Sequence, residues 1–204
     1  MKYVVKFEKK SIAKYISHLD FQRTVSRAMR RAELPLAYSH GFNPHPLLSF
    51  AAPLAVGITS ECELFEAELY DEVDENIFTE NLNNALPSCI RIIEVKKDSL
   101  KNCPVNAGVY RIECENTPSG ELIARFMKNE TIEMDKKTKS GIKKVDIKTD
   151  IFGISVNNNV MELTLAAGSQ RNLRPFLVID AIKEYTGHDC GYCRFHRVRL
   201  VNVS

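Results

Sequence analysis

The sequence lacks three features that would point directly to a function: a long apolar run, a large net charge and a familiar catalytic motif. No apolar run approaches the roughly 18–20 residues that a membrane helix needs. The first eight residues carry charges where a signal peptide needs a continuous apolar stretch. Hydrophobic residues make up 44% of the chain and charged residues 26%, which excludes a wholly disordered protein. We therefore expect a cytoplasmic, globular protein with no membrane association.

The small net charge of +2 conceals an uneven distribution along the chain. Residues 1–60 contain nine Lys and Arg against three Asp and Glu, whereas residues 61–100 contain three against eleven. Neighbouring basic and acidic blocks create a directed field that can steer a charged partner. Two solvated surfaces of opposite sign explain the same pattern without any partner.

The alternation of strand-like and helix-like segments predicts an α+β fold. Residues 1–97 follow the order β-α-β-β-α-β, which is typical of a ferredoxin-like unit with an antiparallel sheet. Residues 98–107 are expected to form a linker, and residues 108–204 follow a similar order. The sequence thus predicts tandem ferredoxin-like units. A single α+β domain with one larger sheet is the alternative, because the two halves share no residue-level repeat.

Two groups of arginines are candidates for binding phosphate. A helix from Ser17 to about Ala32 is expected to bury its apolar face and to expose Arg23, Arg27, Arg30 and Arg31. Arg171 and Arg174 lie in a Gly/Ser-containing turn, residues 168–175, which leads into a later helix. A guanidinium group binds phosphate oxygens through two hydrogen bonds. Ordinary solvated helix surface and simple helix capping are the alternatives.

The segment from Tyr38 to Pro46 is a stiff loop rich in side chains that bind ligands. It contains His40, Asn43 and His45, with prolines on both sides of His45. Together with His18 at the start of the first helix, these histidines are candidates for general acid–base catalysis, and Asn43 and His45 are candidates for contacting RNA. A connection that needs proline and glycine for its shape alone is the alternative.

The six cysteines are expected to be reduced, because the sequence shows no export signal. His188, Cys190, Cys193 and His196 place four possible zinc ligands within nine residues. A closed zinc site usually takes its second pair of ligands from a distant segment, and no second CxxC motif is present. We therefore expect no metal and no cofactor on this chain, although a redox pair at Cys190 and Cys193 stays open.

Several runs in the first half resemble one bacterial family. They are Tyr15–Asp20 (YISHLD), Arg27–Pro46 (RAMRRAELPLAYSHGFNPHP), Ser49–Ala51 and Pro53–Gly57. They are similar to the radical-SAM-linked protein family, a domain of unknown function. Its members are typically encoded beside, or fused to, a cobalamin-binding radical SAM protein, often near genes for ribonuclease G and ribosomal proteins. The family provides no catalytic residues that can be transferred to this chain.

This resemblance implies an accessory role beside a radical SAM enzyme. The chain would then be a non-catalytic, substrate-binding adaptor in RNA or ribosome-related modification. The partner would carry S-adenosylmethionine, an iron–sulfur cluster and cobalamin. The alternative is an RNA-processing or RNA-modifying enzyme that uses His18, His40 or His45 as acid or base. Tandem ferredoxin-like folds occur in some RNA-processing enzymes, but a shared fold does not establish function.

Overall fold

The protein is described from a computed structural model, which describes residues 1–138, 141–168 and 171–203. The helices are α1 (His18–Arg31), α2 (Glu75–Ala85), α3 (Gly120–Met127) and α4 (Pro175–Thr186). The strands are β1 (Lys2–Lys9), β2 (Leu48–Phe50), β3 (Ile58–Glu68), β4 (Ile90–Lys96), β5 (Ala107–Cys114), β6 (Glu133–Thr138), β7 (Gly141–Asp146), β8 (Ile151–Asn157), β9 (Val160–Ala166) and β10 (Cys193–Val201). The chain divides into two compact units, Met1–Val105 and Asn106–Ser204.

Unit 1 has the strand order of a ferredoxin-like fold. β1 pairs with β3 on one side and with β4 on the other, and β2 adds to the far side of β3. All three pairings are antiparallel, so the strands lie in the order β4-β1-β3-β2. Each helix connects two strands that are not adjacent in the sheet, which is the split βαβ arrangement.

The core of unit 1 forms because strands and helices each place apolar side chains on one face. Tyr3, Val5 and Phe7 alternate along β1 and are all buried. On α1 the buried residues recur at helical spacing; they are Phe21, Val25, Ala28 and Met29. Phe78 and Leu82 do the same for α2, and all of these side chains belong to one apolar cluster.

Unit 2 repeats this topology. β5 pairs with β10 and β9, and β9 pairs with β8, again with every pairing antiparallel. The resulting order, β10-β5-β9-β8, matches that of unit 1 once the hairpin β6–β7 is treated as an insertion after α3. The prediction of an α+β fold made of ferredoxin-like units is therefore confirmed.

The expected linker is short in the structure. The segment expected to be a linker contains a 3-10 turn at Leu100–Asn102, and β5 begins at Ala107. Within the described ranges, no helix has the length and apolar character required to cross a membrane.

Candidate functional site

The start of α1 is fixed by a capping arrangement that the sequence predicts. The Ser17 hydroxyl accepts a hydrogen bond from the Asp20 backbone N–H at 3.2 Å and donates one to Asp20 Oδ2 at 2.8 Å. Asp20 Oδ1 also accepts a hydrogen bond from Arg23 Nη1 at 3.1 Å. The Ser17 hydrogen bond, with help from Arg23, lowers the pKa of Asp20. Asp20 is therefore an ionised capping residue.

His18 lines a small cavity in unit 1. Its ring meets the edge of Phe50, with ring centroids 5.4 Å apart, and its Nε2 lies 3.1 Å from Nε2 of Gln22. The cavity, about 20 Å³ in volume, also has Lys9 and Glu63 in its walls. This is room for about one water molecule. Burial lowers the pKa of His18, the positive charge of Lys9 lowers it further, and Glu63 opposes the shift.

Lys9 is a buried cation that the sequence analysis did not single out. Its Nζ donates to the Ile16 carbonyl at 3.1 Å and lies 5.4 Å from the centre of the Phe21 ring. Burial lowers the pKa of Lys9, and the nearby Glu63 partly restores it. The burial of Lys9 could have been predicted from the two-residue period of β1, because Lys9 follows Tyr3, Val5 and Phe7 on the inward face.

The four arginines of α1 differ in how far their charges are compensated. Arg23 is paired with Asp20, whereas Arg31 donates to the neutral carbonyl of Ala85 at 2.7 Å. Arg30 Nε donates to the Tyr38 hydroxyl at 3.1 Å, and its guanidinium lies 5.6 Å from the Tyr38 ring centre. Arg27 is exposed and forms no ion pair or hydrogen bond with any described residue. Arg27, Arg30 and Arg31 therefore have no carboxylate partner among the described residues.

The loop from Ser39 to His45 is closed at its base. The Ser39 N–H donates to the His45 carbonyl at 2.9 Å, and Ser39 Oγ lies 2.8 Å from His45 Nδ1. These bonds place His40 and Asn43 on the surface, together with Phe42 at the tip. Phe42 is fully exposed, and the preceding Gly41 has a φ of +121°, a conformation that favours glycine. Phe42 is not among the functional candidates predicted from the sequence.

Arg30 connects this loop to α1, because Tyr38 stands at the loop's base, bridged to Pro46. The outer face of α1 and the base of the loop thus form one surface. We call it the α1–loop surface and define it by Arg23, Arg27, Arg30 and residues 39–45. The structure gives no contact between His18 and either His40 or His45 among the described residues, so the three catalytic candidates do not form one cluster.

The second arginine group is placed differently. Arg171 forms an ion pair with Asp150 and donates to Thr149 Oγ1 at 3.0 Å. Arg174 is the N-cap residue of α4 and lines a groove that also contains Asp135 and Asp180. Positions 169 and 170 of the predicted anion-binding turn lie outside the described residues. The charge of Arg171 is therefore paired with a carboxylate of unit 2. Anion binding at Arg171 and Arg174 stays a prediction.

The four residues considered as zinc ligands do not come together as one set. His188 Nε2 lies 3.0 Å from the Asn116 carbonyl. His196 is three positions from Cys193 on β10, and an odd spacing places two side chains on opposite faces of a strand. No group of three or more His, Cys, Asp or Glu in the described ranges is arranged to bind a metal ion. Cys193 instead contacts Cys114, whose Sγ lies 3.1 Å away.

A comparison with protein-family models assigns the chain to a family. The model for an uncharacterized protein conserved in bacteria, DUF2344, matches residues 2–175. The chain belongs to DUF2344. The match includes His18, all four arginines of α1 and the loop at residues 39–45. A comparison with curated proteins found no match to this DUF2344 chain.

A solved structure is similar in fold. A chain from the crystal structure of a Cbf5-Nop10-Gar1 complex aligns with a TM-score of 0.50 and 9% sequence identity. The alignment covers 97% of this DUF2344 chain and 48% of the other, so the present chain corresponds to about half of that protein. At this identity, the similarity concerns the fold alone.

The lowered pKa of His18 leads to a prediction about stability. The unfolded chain, in which histidine has a pKa near 6.5, binds a proton at His18 more readily than the folded chain does. The free energy of unfolding should therefore fall as the pH falls below about 6.5. Urea unfolding between pH 7 and pH 5 should show a weaker pH dependence for His18→Gln than for the wild type. An NMR midpoint for His18 at or above 6.5 in the folded chain would contradict this interpretation.

Proposed function

We propose that this DUF2344 chain is a substrate-binding accessory protein that holds single-stranded RNA on its α1–loop surface. The observation that carries the proposal is the combination of uncompensated arginines with a fully exposed aromatic ring. Arg27 is exposed and unpaired among the described residues, and Arg30 is bound only to the neutral Tyr38. Cations of this kind bind the RNA backbone irrespective of base sequence.

The loop contributes the second part of the recognition. An unpaired base stacks on an exposed aromatic ring, and this contact contributes about 1–3 kcal/mol per base. Phe42 offers such a ring, and the hydrogen bonds between Ser39 and His45 hold the base of the loop closed. A double helix keeps its bases stacked on each other, so Phe42 favours a single strand over a duplex. Asn43 and His45 lie in the same loop and add hydrogen-bonding groups.

The accessory role comes from the family resemblance described above. We propose that the partner is a cobalamin-binding radical SAM protein, which would carry the S-adenosylmethionine, the iron–sulfur cluster and the cobalamin. In this arrangement the present chain supplies positioning and electrostatic attraction, and the partner supplies the chemistry. RNA or ribosome-related material would be the shared substrate.

A second candidate function rests on the cavity beside His18. Burial keeps His18 largely neutral near pH 7, and a neutral imidazole can accept a proton from a reacting group. Lys9 and Glu63 place opposite charges in the walls of the same cavity. This arrangement suits an RNA-processing enzyme in which His18 acts as the base.

The arginine contribution can be measured by its salt dependence. Arg27→Gln removes one exposed charge, so the slope of log affinity against log salt should fall by about 0.7 for a single-stranded RNA. Fluorescence anisotropy with a labelled single-stranded oligonucleotide, repeated from 50 to 200 mM salt, gives this slope. Arg91→Gln is the matched control, because Arg91 is an exposed arginine on β4 outside the α1–loop surface. Equal slopes for the two variants would overturn the proposed interface.

The aromatic contribution can be separated from the charge. Phe42→Ala should weaken binding of single-stranded RNA by about 5- to 150-fold, the range that corresponds to one stacked base. The salt slope should stay that of the wild type, because no cation is removed. Binding of a duplex of the same length should change little. Phe152→Ala, at a partly exposed phenylalanine on β8, is the control. Equal losses for single strand and duplex would contradict the stacking role.

The adaptor and enzyme readings differ in what the chain does alone. Under the adaptor reading, bound RNA should be recovered unchanged by mass spectrometry, and a radical SAM protein should co-purify with the chain. Under the enzyme reading, the chain alone should alter the RNA, and His18→Ala should abolish the reaction while binding persists. Altered RNA that persists with His18→Ala would count against both readings.

A further inference from the structure

Three of the six cysteines meet at one end of unit 2, although they are far apart in the sequence. Cys114 ends β5, Cys193 begins β10, and their Sγ atoms lie 3.1 Å apart. Cys190, from the segment just before β10, lies within hydrogen-bond reach of the Cys114 thiol. The CxxC spacing pairs Cys190 with Cys193, whereas in the structure Cys114 contacts Cys193 and lies within reach of Cys190.

The strand register favours a bond between Cys114 and Cys193. These two residues are directly opposite each other in the antiparallel pairing of β5 with β10. The next pair, Glu115 and Tyr192, is joined by a hydrogen bond from the Glu115 N–H to the Tyr192 carbonyl at 3.0 Å. Because hydrogen-bonded and non-hydrogen-bonded pairs alternate, Cys114 and Cys193 form a non-hydrogen-bonded pair, with Cα atoms about 4.5 Å apart. A disulfide accepts Cα separations of about 4.4–6.8 Å.

The segment before β10 is held against the end of β5. Tyr192 N–H donates to Glu115 Oε2 at 3.0 Å, and the Asn116 N–H donates to the Cys190 carbonyl at 3.1 Å. Gly191, with a φ of +65°, makes the turn that this approach requires. These contacts hold the thiols in place, so a bond between Cys114 and Cys193 needs little backbone movement.

We propose that Cys114 and Cys193 form an oxidation site, at which hydrogen peroxide or a related peroxide converts the two thiols into a disulfide. One thiolate attacks the peroxide and gives a sulfenic acid and water. The second thiol then attacks that sulfur, which forms the S–S bond and releases a second water. Both electrons come from the cysteines, and the peroxide is reduced.

The exposure of the two thiols agrees with this site. Cys114 and Cys193 are partly exposed, whereas Cys190 is buried. A small oxidant therefore reaches the cross-strand pair more easily than it reaches Cys190. Burial is the main reason that the pKa of each of the three thiols is raised. The thiols are accordingly protonated at neutral pH, so the thiolate that attacks peroxide is scarce and the oxidation is slow.

The experiment uses the full chain treated with hydrogen peroxide, followed by alkylation of the remaining thiols. The number of alkylated cysteines should fall from six to four. Peptide mapping without reductant should recover a peptide that links Cys114 to Cys193, and dithiothreitol should release it. The linkage should be lost in Cys114→Ser and retained in Cys103→Ser, the control at a partly exposed cysteine of unit 1.

Three results would overturn the proposal: a bond between Cys190 and Cys193, sulfinic acid at Cys193 without any linkage, or six alkylated thiols after treatment. The peptide map of the wild-type chain decides between these outcomes even where a serine variant fails to fold. A melting-temperature measurement adds an independent test. The linkage closes a long loop between β5 and β10, so the oxidised chain should melt at a higher temperature than the reduced one.

Discussion

The packing of α1 on the central strand of unit 1 is the contact on which its candidate site depends. β1 has a strand on each side, so its inward side chains can be covered only from the face of the sheet. α1 covers them with residues at helical spacing, and Phe21 stacks on Phe7 with ring centroids 5.0 Å apart. That orientation turns the arginines outward. It also brings the start of the helix close to Lys9. The packing of α1 on β1 therefore determines the position of both the exposed arginines and the His18 cavity.

Periodicity predicted the order of the main helices and strands. The apolar spacing of α1 predicted both its buried face and its exposed arginines, and Ser17 and Asp20 marked its start. The order of elements predicted two ferredoxin-like units without any residue-level repeat, because topology depends on pattern rather than on particular residues. The exposure of Phe42 was missed because no periodic pattern applies to a loop. Cys114 was missed because it lies 79 positions from Cys193 and meets it only through strand register.

The comparisons with known proteins support the fold more strongly than they support any function. Membership of DUF2344 and the fold shared with a Cbf5-Nop10-Gar1 chain describe ancestry and architecture. Neither assigns a reaction, because one fold serves many chemistries through the side chains on its surface. The case for RNA therefore depends on particular groups. These are the arginines of α1, which no carboxylate of the described residues neutralises beyond Asp20, and the aromatic ring at residue 42.

The cap at Asp20 also determines where along α1 an anion is attracted most strongly. Asp20 cancels the charge of Arg23 at the amino end of the helix. At the carboxyl end, Arg30 and Arg31 face the negative pole of the helix dipole, which offsets part of their charge. Arg27 lies between the two ends and is subject to neither effect. The helix therefore has its least compensated positive charge near its middle, which is where the proposed RNA backbone would be attracted most strongly.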